Sequence, residues 1–212
     1  MKGLIIKDFC NAKSFSKQYL IILAVMAVCS FGTKNLSFLT VYIVILGGMQ
    51  CITTMNVDEN CGFNKFALTT PLGIKRLVGA KYIFFLCSLG IAWLVSFLLH
   101  IVISFLPKAD WGEFSMKGVL GIICCLAACF STSLPLVYKY GVEKARYTYV
   151  IALAIAFALI YFAGHVAEEK EVASLLDKIP NGTWEIVATI ISIGIVYLSY
   201  RCSIRAVEKK EW

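Results

Sequence analysis

Six long apolar runs divide this chain. Each is close to the roughly 20 residues that a helix needs to cross the hydrocarbon core of a bilayer. Only 16% of the 212 residues are charged, against roughly 25% in soluble domains. The sequence therefore predicts an all-α membrane protein with six transmembrane helices. The predicted spans are 18–33, 36–56, 82–106, 116–138, 147–166 and 184–201.

The segments between these runs are short, and none is long enough to build a separate domain with its own core. We therefore treat residues 1–212 as a single transmembrane domain. Any chemistry that needs a large soluble site must come from a partner.

Lysine and arginine lie mostly at one end of the predicted bundle. Of the 20 residues, 15 belong to the N-terminus, the 57–81 loop, the 139–146 loop and the C-terminus. Cytoplasmic segments carry such an excess, so the pattern predicts a plasma-membrane protein with both termini in the cytoplasm. The same excess explains the net charge of +7, so the charge does not indicate a nucleic-acid partner. It suits contact with anionic lipid headgroups.

Residues 1–17 are not a span but have helical spacing of apolar side chains. This spacing predicts an amphipathic helix that lies in the membrane interface and enters the first span through a bend. The apolar positions are Leu4, Ile5, Phe9, Ala12 and Phe15.

The 57–81 loop is longer than a tight connection between two helices needs. Asp58 or Asn60 can cap a short helix that carries Phe63 and Phe66, and Thr70-Pro71 can begin a second one. A long cytosolic loop with exposed aromatic side chains is a candidate docking element.

Nucleotide and metal sites are not indicated. Gly73 and Gly79 are separated by five residues and followed by Ala80-Lys81, whereas a P-loop needs four residues and then Lys-Ser or Lys-Thr. Most of the nine cysteines fall in apolar runs, where they act as small hydrophobic residues. We therefore predict no cofactor or metal bound by this chain.

Intramembrane hydrolysis is the next possibility, because Ser131 and Ser133 lie in the fourth span. A nucleophilic serine needs a base within hydrogen-bond reach, and the sixth span contains no histidine. Hydroxyls bonded to their own helix or to a neighbour are the simpler explanation. We therefore predict that the chain is not an enzyme.

Two stripes repeat at four-residue spacing. The first is polar and lies in the third span; it is either functional or a packed face with satisfied hydrogen bonds, and both interpretations stay open. It consists of Ser96, His100 and Ser104.

The second stripe is made of small residues in the fourth span, which allow close helix approach. Gly47-Gly48 with Cys51 does the same in the second span. Such contacts lie within the bundle or between subunits, and the sequence does not separate the two. The stripe consists of Gly121, Cys125, Cys129 and Ser133.

The opening MKGLIIKDF, the six spans and the loop NVDENCGFNKFALTTPLGIKRLVGAKY resemble the small ABC-type export permeases of the type-2 exporter class. The compact bacterial branch that includes permeases for phenol-soluble modulins is the most similar. The most specific part runs from Asp58-Glu59 through Thr70-Pro71-Leu72 to Gly79-Ala80-Lys81.

This resemblance implies a coupling helix between spans two and three that docks on a separate ATPase subunit, which binds ATP and magnesium. It also implies a dimer with a second permease, an identical copy or a paralogue, and a substrate path between the two. The implied docking residues are Asp58, Glu59, Asn60, Phe63 and Phe66.

The predicted function is therefore export of an amphipathic peptide or lipid-like substrate, because few charges lie in the middle of the spans. The alternative is a membrane immunity or sensor module that binds peptide without transporting it.

Overall fold

The structure is a computed structural model. It describes residues 2–33, 36–69, 73–104, 116–145 and 183–209, together with six separate positions. Those positions are 147, 150, 151, 154, 155 and 158.

Seven helices account for most of the described residues, and these residues contain no β-strand. The predicted all-α class is confirmed. The helices are α1 (Lys2–Ser14), α2 (Ser16–Thr33), α3 (Leu36–Asn60), α4 (Phe63–Thr69), α5 (Ile74–Ser104), α6 (Met116–Tyr140) and α7 (Thr183–Lys209).

Four of these helices, α3, α5, α6 and α7, contain stretches long and apolar enough to cross a membrane. The helices α1 and α2 form a pair bent by 55° that would add a fifth. Most of the predicted 147–166 span lies outside the described residues. The chain is thus a multi-pass membrane protein.

Three helices extend beyond the predicted spans by four residues or more. α3 continues to Asn60 and α5 begins at Ile74, so the predicted 57–81 loop is too long. α7 likewise continues to Lys209. The apolar runs mark where the hydrocarbon ends, whereas backbone hydrogen bonds continue a helix until the chain must turn. Such turns occur at Gly62 and Gly73, whose φ angles are 64° and 73°, values that favour glycine.

The centre of the bundle is α3, which packs against α5 and α6, while α6 packs along α7. A Cβ atom on Gly47 would lie 2.8 Å from Ala92 Cβ on α5, and one on Gly48 would lie 2.5 Å from the Phe130 ring on α6. The hydroxyl of Ser88 donates to the Gly47 carbonyl at 2.9 Å. The Gly47-Gly48 pair therefore serves contacts within the bundle.

Candidate functional site: the connection between α3 and α5

Several contacts bring α1, α4 and one end of α3, α5, α6 and α7 together. Glu59 at the end of α3 reaches Val142 after α6, and the Tyr200 hydroxyl of α7 donates to the Lys75 carbonyl at the start of α5. We call this end of the bundle the basic end. Its exposed cations include Lys65, Lys75, Arg76, Lys139, Arg205 and Lys209.

The connection between α3 and α5 contains the short helix α4. The Gly62 carbonyl accepts from the backbone N–H groups of Lys65 and Phe66, at 3.1 and 3.4 Å, so α4 begins directly at the Gly62 turn. The predicted helix bearing Phe63 and Phe66 is therefore present. Thr70 and Pro71, which were predicted to begin a second helix, lie outside the described residues.

α4 has a buried side and an exposed side. Ala67 is buried against the bundle, whereas Phe66 is 65% exposed. Phe63 is partly buried, and the Lys7 ammonium of α1 lies 3.6 Å from the centre of its ring. Because a cation over an aromatic face is attracted to it, Lys7 helps to hold α4 against α1.

Beneath α4 lies a closed cluster of four charges, formed by Lys7, Asp8, Asp58 and Lys81. The Lys7 ammonium lies 2.6 Å from Asp58 Oδ1 and 3.3 Å from Asp8 Oδ1. The Lys81 ammonium lies 2.7 Å from Asp8 Oδ1 and 2.7 Å from Asp58 Oδ2. We call it the ion-pair cluster, and it joins α1, α3 and α5.

The charges of the ion-pair cluster sum to zero, and three of its four members are buried, whereas the Lys7 side chain is 25% exposed. Asp8 and Asp58 are 1% and 2% exposed, and Lys81 is 4% exposed. Thr54 contributes a hydroxyl 3.4 Å from the Lys81 ammonium. A buried charge that loses its partner is costly, so this cluster fixes how α1 sits on α3 and α5.

The position of Asp58 differs from the one that the resemblance implies. The resemblance assigns Asp58 to the docking surface, but the structure puts its carboxylate inside the ion-pair cluster. Sequence reasoning missed the cluster. The available signals were an acidic residue in the otherwise basic α1, Asp8, and a lysine directly before an apolar run, Lys81.

Glu59 makes a different connection at the basic end. Its Oε2 accepts from the Val142 N–H at 2.7 Å, where helical backbone resumes after Gly141. Gly141 has φ 85°, and a Cβ atom there would lie 2.6 Å from Glu59 Oε1. Glu59 thus ties the end of α3 to the segment that follows α6. Asn60 is exposed beside it.

The sequence of this chain was compared with known protein families. A family model described as ABC-2 family transporter protein matches residues 3–208. This chain belongs to the ABC-2 transporter family. No curated protein and no solved structure is significantly similar to it.

Membership of the ABC-2 family implies an ABC ATPase partner for this membrane chain. Permeases of this family are membrane components of transporters and are in general not catalytic themselves. Among the residues that the structure describes, no group of three His, Cys, Asp or Glu side chains is placed to hold a metal ion.

The structure describes the side chains of two of the three residues in the polar stripe of α5. Ser96 is buried, and its hydroxyl donates to the Ala92 carbonyl of its own helix at 2.9 Å. His100 is half-buried, and the side chain of Ser104 lies outside the described residues. Ser96 thus has the bonding expected of a packed face.

The small-residue stripe of α6 is used unevenly within the chain. Ser133 is buried, and its hydroxyl donates to the Cys129 carbonyl at 3.4 Å, which is the self-bonding expected of a structural serine. Cys125 and Cys129 are partly exposed. None of the described residues would lie within 4 Å of a Cβ atom on Gly121, which is partly exposed.

A second polar cluster, which the sequence did not reveal, joins α5, α6 and α7. The Tyr82 hydroxyl lies 2.5 Å from the Ser199 hydroxyl and 2.8 Å from the Ser203 hydroxyl. Ser199 in turn donates to the Ser131 carbonyl of α6 at 2.5 Å. We call this group the hydroxyl cluster.

Proposed function

We propose that this chain is the membrane-spanning permease subunit of an ABC exporter, with a separate ATPase docking on α4. The observation that carries the proposal is the link through Lys7. This side chain contacts Phe63 of α4 and also pairs with Asp58 of α3. A force on α4 therefore acts directly on the ion-pair cluster, and through it on α1, α3 and α5.

The docking surface that we propose is centred on Phe66 and Asn60, which are both exposed at the basic end. Phe63 holds α4 against α1 through its contact with Lys7. Asp58 and Glu59 act as positioning residues, because their carboxylates are engaged within the chain. Aromatic side chains, phenylalanine among them, are enriched at protein interfaces relative to the rest of the surface.

The proposed orientation puts the basic end, with both termini, in the cytoplasm. It is supported by the excess of lysine and arginine at this end. ATP and magnesium would be bound by the ATPase, and nucleotide-driven movement of two ATPases would move the two α4 helices.

The transporter that we propose contains two permeases, and its substrate is an amphipathic peptide or lipid-like molecule. The partly exposed part of the α6 stripe, at Gly121, Cys125 and Cys129, supports a close contact with the second permease, because small residues allow helices to approach closely. An apolar cavity of about 310 Å³ between α2, α3 and α5 has Tyr19 and Gln50 on its wall. Such a mixed lining suits an amphipathic molecule better than a small ion.

The test is co-purification with a candidate ABC ATPase partner, in nanodiscs. Wild type is compared with Phe66→Asp and with the control Tyr140→Asp, which changes another exposed aromatic at the basic end. Loss of an aromatic anchor weakens an interface by roughly 30-fold or more. We expect Phe66→Asp to lose the ATPase while Tyr140→Asp retains it.

Two results would contradict the proposal. If Phe66→Asp binds the ATPase as tightly as wild type, α4 is not the docking element. If wild type captures no ATPase but binds amphipathic peptide, the non-transporting immunity or sensor module becomes the better explanation.

A further inference from the structure

A cavity of about 370 Å³ lies between the ends of α6 and α7, at the basic end. Its lining consists of Lys139, Cys202, Arg205, Ala206 and Lys209. Three of these five residues are cations, and none is acidic. Among the described residues, the three cations form no salt bridge with a carboxylate.

Three residues that line the cavity lie on an exposed face of α7, and we call the apolar part of this face, from Val187 to Leu198, the apolar stripe. Four residues of α7 are spaced by four, three and four positions, so they share one face of the helix. These residues are Leu198, Cys202, Arg205 and Lys209. All four are exposed. Toward the N-terminus of α7, the same face contains three further exposed residues. These are Val187, Ile191 and Gly194.

This face of α7 changes from apolar to basic over a distance slightly longer than the headgroup layer is thick. Leu198 and Arg205 are separated by seven residues, or about 10 Å along the helix axis. The headgroup layer on each side of the hydrocarbon core is about 5–8 Å thick. An acyl chain on Ile191 and Leu198 would thus have its phosphate near Arg205.

We infer that this cavity is a binding site for the phosphate headgroup of an anionic phospholipid, whose acyl chain lies along the apolar stripe of α7. Basic cavities between transmembrane helices are suited to such headgroups. Arg205 supplies a planar fork that can hold two phosphate oxygens, and Lys139 and Lys209 add point charges. A free phosphate would leave the apolar stripe without a ligand.

The inference rests on the membrane location of the chain and not on the proposed ATPase. The test is native mass spectrometry of the delipidated protein titrated with phosphatidylglycerol, phosphatidylcholine or inorganic phosphate. The variant is Arg205→Gln/Lys209→Gln. The matched control is Lys75→Gln/Arg76→Gln, which removes one lysine and one arginine exposed at the same end outside the cavity.

We expect one phosphatidylglycerol to bind more tightly than phosphatidylcholine. A cation near the membrane surface contributes enough that losing two weakens binding by roughly 30-fold. We expect that loss in Arg205→Gln/Lys209→Gln and not in the control. Equal binding of the two lipids, equal binding by the variant, or full competition by inorganic phosphate would overturn the inference.

A second measurement needs no variant of the cavity. Cys202 lines the cavity and is exposed, and Cys61 is exposed near α4. Bound lipid should slow alkylation of Cys202 in phosphatidylglycerol nanodiscs relative to phosphatidylcholine nanodiscs, by about the fold-difference in lipid affinity. Cys61 should react at one rate in both. Unchanged Cys202 reactivity overturns the inference, and protection of Cys202 only when the ATPase is added would assign the cavity to that partner.

Discussion

Two consecutive residues of α5, Lys81 and Tyr82, point a quarter-turn apart and enter the two different polar clusters of the bundle. Lys81 joins the ion-pair cluster toward α1 and α3, and Tyr82 joins the hydroxyl cluster toward α6 and α7. One cluster is built of full charges and the other of neutral hydroxyls. The same helix is therefore fixed to its neighbours in two ways that differ in cost and in strength.

The two faces also differ in how closely the helices approach. Lys81, Ser88 and Ala92 share one face of α5, and Gly47 of α3 packs against this face. On the Tyr82 face, Tyr82 and Leu86 border a cavity of about 330 Å³ shared with α7. The Lys81 face also borders a cavity, the one of about 310 Å³ lined by Ser88 and Ala92, so the two faces differ in the close approach at Gly47 and not in cavity volume. This difference suits the transmission of movement from a docking element to α3 and α5.

The largest expected effect comes from Lys81→Met. The substitution leaves two buried carboxylates with Lys7 as their remaining cation, and breaking a buried ion pair from one side costs about 3–5 kcal/mol. We expect a marked fall in the thermal unfolding temperature of the purified protein in nanodiscs.

The double variant Lys81→Met/Asp58→Asn provides the control, because it returns the cluster to a neutral pair of Lys7 and Asp8. It should recover at least half of the lost stability. Losses that simply add in the double variant would show that the four charges do not act as one unit.

The next effect comes from Gly47→Ala on the same face. The added methyl group would lie 2.8 Å from Ala92 Cβ and 3.2 Å from the Ser88 carbonyl oxygen, so α3 and α5 must separate. Overpacking of this kind costs about 1–3 kcal/mol. The unfolding temperature should fall by less than in Lys81→Met.

Gly90→Ala is the matched control for this variant, since none of the described residues would lie within 4 Å of a Cβ atom there. Alanine is favoured over glycine inside a helix by about 1 kcal/mol, so Gly90→Ala should be neutral or stabilising. If both glycine variants lose stability equally, the close approach at Gly47 is not the cause.

Much of the architecture follows from local sequence. The apolar runs predict the helical class and the approximate positions of α3, α5, α6 and α7, because hydrocarbon thickness sets the length of a span. Phe63 and Phe66 were predicted to lie on one short helix, and α4 contains both. The ends of the helices were less predictable, because hydrogen bonding continues beyond the apolar run.

The polar clusters could not be predicted from local sequence. Lys7 and Asp58 are 51 residues apart, and Asp8 and Lys81 are 73 apart. Hydropathy identifies charges beside a span but does not say which of them face each other. Asp58 was therefore assigned to the surface, although its partners lie on α1 and α5. Tyr82 and Ser203, 121 residues apart, were missed for the same reason.

The smallest expected effect comes from Tyr82→Phe, which tests the hydroxyl cluster. The substitution removes the hydroxyl between Ser199 and Ser203 but keeps the ring, and Ser199 still donates to the Ser131 carbonyl. A neutral hydrogen bond contributes about 0.5–1.5 kcal/mol, so the unfolding temperature should fall slightly.

Ser96→Ala is the control, because the Ser96 hydroxyl bonds to its own helix and its removal should leave stability unchanged. A loss in Tyr82→Phe as large as in Lys81→Met would mean that charge is not what distinguishes the two faces of α5. A loss no larger than in Ser96→Ala would mean that packing of the Tyr82 ring, and not its hydroxyl, holds α7 in place.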